Sequence, residues 1–205
     1  MKIEINPQES NRADAFRMWM SSPMPMVTLV KTFDVSRLVK VSRKSGMKFT
    51  MLMSWCICRA ASGIEEFYTL PKDGKLYRFD RLAVNAIVQN CKGALNFCDI
   101  PYSEDLQQFN SDYLRLTKQS ASECTTISLE DHMLIGTSAV LQTELDGIVN
   151  QYSGIFNNPF LSWGRYRKGL FKTTLPVSFQ FHHVQMDGAQ AARFLQRLQE
   201  EINRV

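Results

Sequence analysis

The stretch Phe181-His182-His183-Val184-Gln185-Met186-Asp187-Gly188 carries two of the three histidines of the chain, at the place where the spacing of apolar residues changes period. Upstream, Val177, Phe179 and Phe181 alternate with Ser178 and Gln180, the two-residue period of a half-buried strand. Downstream, Ala191, Phe194, Leu195, Leu198 and Ile202 recur at helical spacing, with Arg193, Gln196, Arg197, Glu200 and Glu201 opposite them, which predicts an amphipathic C-terminal helix. Asp187-Gly188 therefore marks a junction of strand, turn and helix. Successive strand residues face opposite sides, so His182 belongs with the polar set and His183 with the apolar one, and the two imidazoles cannot do the same work. An imidazole titrates near neutrality, which suits it to taking a proton from a hydroxyl and returning it. On spacing alone the structural reading has the better base rate: His183 as a core histidine bonded to a backbone carbonyl, and Asp187 as a helix N-cap.

Length and composition fit a single domain spanning residues 1–205, since 205 residues with 44% hydrophobic content can bury a sizeable core. No Gly/Ser or Pro-rich tract, charge block or repeat suggests a linker. Met1-Lys2-Ile3-Glu4 lacks the pattern of a signal peptide, and the apolar run from Phe49 to Cys58 is far short of the roughly 20 residues of a membrane span, so a cytoplasmic protein without a membrane partner is expected. Five cysteines without framework spacing fit free, packing thiols in a reducing compartment. Cys56-Ile57-Cys58 is a poor metal pair, and adjacent strand histidines diverge, so no metal is expected. The net charge of +4 is the difference between 24 basic and 20 acidic residues spread along the chain, which does not imply nucleic-acid binding.

The remaining elements are read outward from this junction. Ser10-Asn11-Arg12 opens a short first helix containing Trp19, followed by a strand from Met24 to Phe33. Asp34 caps a helix that ends near Ser45-Gly46, and a core helix covers Phe49 to Ala61. Lys75 to Phe79, Ala83 to Val88 and Gly93 to Phe97 read as strands, and Pro101 to Asp105 opens another helix. Met133 to Val140 is an apolar strand in which Gly136-Thr137-Ser138 marks a close backbone approach. Pro159 to Lys168 is a strand ending in a basic turn at Gly169, whose Arg165, Arg167, Lys168 and Lys172 could meet phosphates or form a solvated tip.

HHVQMDG followed by AQAARFLQRLQEEIN resembles the C-terminal signature of the chloramphenicol acetyltransferase family, and similarities at Pro101-Tyr102-Ser103 and Ser138-Ala139-Val140 extend the resemblance over nearly the whole chain. The resemblance implies His183 as general base, Asp187 paired with Arg12 as support for the site, and Ser138 as a hydrogen-bond donor to the oxyanion of a tetrahedral intermediate. It further implies Trp19, Pro25, Val27 and Leu95 as lining of the acceptor pocket, and Ser162 and Tyr166 at the coenzyme site. The implied fold is an α/β two-layer sandwich with a mixed β-sheet flanked by helices. The implied assembly is a homotrimer with active sites at subunit interfaces, and the implied co-substrate is acetyl-CoA. The implied acceptor is chloramphenicol or a similar small alcohol, and a catalytically inactive trimeric binding protein of the same fold is the alternative. Pro25, Val27, Leu95 and the segment Leu141 to Gly147 depart from the family pattern, so an altered acceptor pocket is expected.

Overall fold

In a computed structural model, which describes residues 1–152 and 154–205, the chain runs β1 (Lys2–Ile5), α1 (Ala13–Trp19), β2 (Met26–Asp34), α2 (Ser36–Ser45), α3 (Phe49–Ser62), β3 (Thr69–Lys72), β4 (Lys75–Phe79), β5 (Leu82–Gln89), β6 (Leu95–Pro101), α4 (Leu106–Glu123), β7 (Met133–Val140), β8 (Phe160–Gly164), β9 (Arg167–Lys168), β10 (Thr173–His182) and α5 (Gly188–Arg204). The large sheet has the order β2-β10-β8-β7-β5-β6, with β9 pairing beside β10. Its pairs are antiparallel except β5 with β7 and β7 with β8, so the sheet is mixed as expected.

The apolar parity of β10 meets the helices. Phe179 packs on Phe194 of α5 at a centroid distance of 4.7 Å, and Phe67 lies against both. The predicted stripe of α5, from Ala191 to Ile202, is buried with them, and α3 fills the space beside α5 with ten buried residues from Met51 to Ala61. Burial at about 25 cal/mol per Å² of apolar surface makes this layer the main source of stability. Asp34 accepts from Ser36 N at 3.0 Å at the start of α2, and Gly46 closes that helix at φ 75°, where a side chain would be strained.

Several expectations need correction. β10 is buried on both faces, because Ser178 and Gln180 lie under residues 141–152: Ser178 Oγ accepts from Ile148 N at 2.7 Å, and Gln180 Nε2 donates to Asn150 O at 3.1 Å. A loop can satisfy a polar strand face as water would, so alternation does not by itself prove solvent on that side. The strand expected at Gly93 to Phe97 runs from Leu95 to Pro101, and the single strand expected from Pro159 to Lys168 is broken after Gly164 into β8 and β9. A second sheet, in the order β1-β4-β3, adds two strands too short and too polar to show periodicity. Of the thiols, Cys56, Cys58 and Cys98 pack in the core, but Cys91 and Cys124 lie side by side near the surface with their sulfurs 2.7 Å apart.

Candidate functional site

β10 pairs with β2 as far as His182 opposite Met26, with Val27 opposite Phe181. His183 is the first residue past the strand, and its N–H donates to Pro25 O at 2.8 Å, so buried Pro25 closes the strand pair. The chain then turns, with Gln185 N donating to His182 O at 2.9 Å. The buried side chain of Gln185 donates to Glu66 O at 3.1 Å and Thr69 O at 2.8 Å, fastening the corner to the start of β3. Asp187 opens α5, and Gln190 reaches back to accept from its N–H at 3.1 Å, the reciprocal contact of a capping box.

Arg12, 9% exposed, locks this corner. It holds the carboxylate of Asp187 bidentately at 2.6 and 2.9 Å, and donates to the carbonyls of Val184 at 2.9 Å and His183 at 2.8 Å. The guanidinium keeps the Asp187 carboxyl below the usual carboxylate range. Asp187 Oδ1 lies 3.1 Å from His183 Nδ1, which is buried. The indole of Trp19 lies parallel to the His183 ring, 4.8 Å away at 4°. The imidazole is thus clamped between a carboxylate and an aromatic plane, yet its side chain is 30% exposed, so Nε2 is the nitrogen that faces solvent.

His182 has the opposite character. It is fully buried, its Nδ1 accepts from Val184 N at 3.1 Å, and its Nε2 has no partner among the described residues. Burial, followed by the neighbouring His183, pushes its pKa down to about 4, so it is neutral at neutral pH and closed to substrate.

Ser138 sits elsewhere on the sheet. It pairs with Ser162 on β8, which pairs with Ser178 on β10, so three serines form one lateral row. Ser162 Oγ donates to Asn150 Oδ1 at 3.2 Å, whereas no partner engages the Ser138 hydroxyl among the described residues. Two strands across and five residues along separate Ser138 from His183, roughly 15–20 Å from strand geometry. One chain does not bring the expected base and the expected oxyanion donor together.

Beside the row, a cavity of about 440 Å³ is lined by Leu134, Gly136, Phe97, Phe156, Phe160 and Asp99, among others. Gly136 lets the Phe160 ring of its wall lie over β7, since a Cβ there would lie 2.2 Å from that ring. Leu95 is 68% exposed at the sheet edge, outside this wall, so within one chain it does not line the cavity. A second, open groove of about 740 Å³ is walled by Phe49, Tyr166, Lys48, Arg165 and Lys168, with Glu144 as its acid. Tyr166 and Phe49 pack at 5.2 Å. Three cations and two rings suit a phosphorylated nucleotide carrier. No local pattern around Lys48 marks it as a groove residue, because only the packed fold brings the start of α3 beside the turn that follows β8. Arg167 instead pairs with Asp146 at 2.7 Å, and Lys172 approaches Asp34 at 3.6 Å, so both are diverted from the groove. Ser162 stands beside Ser138 and not among the groove's lining. The described residues contain no cluster of metal-ligating side chains, and none of their helices is long and apolar enough to cross a membrane.

A mixed sheet with its helices on one side and a histidine corner at the end of the last strand defines the architecture of an α/β acyltransferase. A solved chloramphenicol acetyltransferase superposes with a TM-score of 0.84 at 19% identity, covering 98% of this chain and all of that one. A dihydrolipoamide acetyltransferase of Azotobacter vinelandii superposes at 0.67, also at 19% identity, over 93% of this chain and 86% of that one. Chloramphenicol acetyltransferase 3 of Escherichia coli is 28% identical over 184 residues, 86% of this chain and 85% of that protein. Chloramphenicol acetyltransferase 2 of Escherichia coli is 26% identical over 205 residues, 97% and 94% of the two chains. The family model described as chloramphenicol acetyltransferase matches residues 1–199, and the chain belongs to that family of acyltransferases.

Proposed function

We propose that the protein transfers an acetyl group from acetyl-CoA to the hydroxyl of a small alcohol, by direct attack in a ternary complex. The observation that carries this reading is the His183 corner: an imidazole oriented by Asp187, Trp19 and the Arg12 clamp, with one nitrogen left open. Nε2 of His183 takes the acceptor's hydroxyl proton as that oxygen bonds to the thioester carbon. The hydroxyl of Ser138 donates to the carbonyl oxygen as it gains charge, a contact worth about 10²–10³ in turnover. When the carbon–sulfur bond breaks, the imidazolium returns its proton to the leaving thiolate. Asp187 stays ionised throughout and moves no proton; it orients the ring and steadies its charged form.

The separation of His183 from Ser138 within one chain supports an assembly in which the base of one copy faces the serine row of another. A homotrimer with sites at its interfaces meets this need. The groove of Lys48, Arg165, Lys168 and Tyr166 is the place for the phosphates and adenine of the co-substrate. Chloramphenicol, on which the named relatives act, is the first acceptor to try. The test follows release of the coenzyme thiol from acetyl-CoA with chloramphenicol and with a panel of other alcohols. His183→Ala is expected to lower turnover about 10²–10⁴-fold with its melting temperature unchanged. A variant that transfers acetyl at the wild-type rate would defeat the assignment.

A further inference from the structure

The cavity beside the serine row holds a feature that the transfer chemistry does not use. Its floor is a lateral row running through Asp99, Asn85, Gly136, Phe160 and Gln180 on β6, β5, β7, β8 and β10. Ser138 is two residues beyond Gly136 on the same face of β7, roughly 7 Å away, so the cavity adjoins the proposed oxyanion donor. Phe97, Phe156 and Phe160 supply aromatic surface, amide and hydroxyl side chains such as Asn85, Thr126 and Ser128 supply much of the rest, and Asp99 is the one charged residue of the lining. Asp99 is 3% exposed. Its Oδ1 accepts from Asn85 Nδ2 at 2.6 Å and its Oδ2 from Leu129 N at 2.8 Å, both neutral donors. No lysine or arginine among the described residues lies in ion-pair range of Asp99, and the nearby His132 turns its Nδ1 to Asp131 at 2.7 Å.

A buried carboxylate with no lysine or arginine beside it is costly, and burial, only partly offset by the bonds from Asn85 and Leu129 and by the charge of His132, raises the Asp99 carboxyl above the usual range. Set in the wall of an aromatic cavity, such a group is matched by a cation that arrives with the ligand. We propose that the acceptor carries a protonated amine that meets Asp99, with its ring among Phe97, Phe156 and Phe160 and its hydroxyl directed toward Ser138. Asp99 lies two strands and one pleat from Ser138, roughly 12 Å; about 3 Å for the ammonium contact at Asp99 and about 2–3 Å for a hydroxyl standing beside the thioester oxygen that Ser138 holds leave roughly 6–7 Å between nitrogen and hydroxyl. That span is one benzene ring carrying a one-carbon arm at each of two opposite positions. The hydroxyl end of this assignment rests on the acetyl-transfer reading; the cation end does not.

The experiment compares 4-(aminomethyl)benzyl alcohol with 4-methylbenzyl alcohol on the full-length protein. Calorimetry is expected to show the ammonium probe binding at least about tenfold more tightly, and coenzyme A release to show a similar preference in kcat/KM with the O-acetyl ester as product. Asp99→Asn is expected to remove both preferences. Equal affinity of the wild-type protein for the two probes overturns the proposal even if the variant fails to fold, and so does a preference that Asp99→Asn retains. Asp99-dependent binding without coenzyme A release from either alcohol would sink the transfer reading and leave the cation site standing. Turnover of both alcohols without preference would do the reverse.

Discussion

Arg12 places four hydrogen bonds into one corner, two on Asp187 and one on each of two backbone carbonyls that no other side chain reaches among the described residues. Arg12→Met strips all four. Because the Asp187 side chain remains 46% exposed and water can take up part of the loss, a destabilisation of about 1–3 kcal/mol in urea unfolding at pH 7 is expected. The sign of the pH effect follows from the lowered Asp187 carboxyl: the ion pair stabilises fully above the unfolded carboxyl's value near 4 and is lost as pH falls below it. The acid limb of the wild-type stability curve should therefore be steeper than that of Arg12→Met. His182 acts in a higher window. Its native pKa of about 4 against roughly 6.5 unfolded means that the unfolded chain alone binds a proton in between, so its presence lowers stability as pH falls from about 6.5 to about 4. His182→Asn, whose amide oxygen can replace the Nδ1 contact to Val184 N, should flatten the melting temperature over that interval; an identical slope in both proteins would refute a neutral, buried His182.

At the level of elements, residues 141–152 decide which face of the sheet is accessible. Three polar side chains beneath them hold them down, Ser178 to Ile148 N, Gln180 to Asn150 O and Ser162 to Asn150 Oδ1, and Arg167 adds an ion pair to Asp146. Ser178→Ala leaves the amide of Ile148 unpaired over a buried row, at a cost of about 1–3 kcal/mol. Faster hydrogen exchange across 141–152, with α3 and α5 unchanged, is the expected signature. Exchange that rises equally in the helices would mean that the loop and the helical core open as one unit.

For the whole molecule, the distance between His183 and Ser138 makes a prediction about assembly. His183→Ala and Ser138→Ala should each be inactive alone, yet mixing them with subunit exchange should restore about a quarter of wild-type activity if each site draws its base and its donor from different copies of a symmetric oligomer. No recovery after demonstrated exchange would place both groups of each site in one chain and contradict the strand register seen here.

The switch of period around His183 locates β10, the turn and α5, because both elements bury one continuous apolar side against each other and the pattern is local. Gly46, Asp105 and Gly136 are legible for a similar reason: a positive φ, a cap and a close ring contact each constrain a residue type in place. The proposal of His183 as general base rests on likeness to a family and not on spacing, which by itself favours a core histidine.

What the sequence determined was the order and type of the main elements and the candidate chemistry, since amphipathic period, caps and glycines act over a few residues. Only the tertiary structure decided that His183 is open while His182 is sealed, that Arg12 reaches 175 positions along the chain to Asp187, that Arg167 and Lys172 are diverted, and that Asp99 faces an aromatic cavity with no lysine or arginine beside it among the described residues. These depend on register between strands distant in sequence. Register is fixed by how the buried faces of the sheet meet the helices and the covering loop, a property of the packed layers together and not of any one segment.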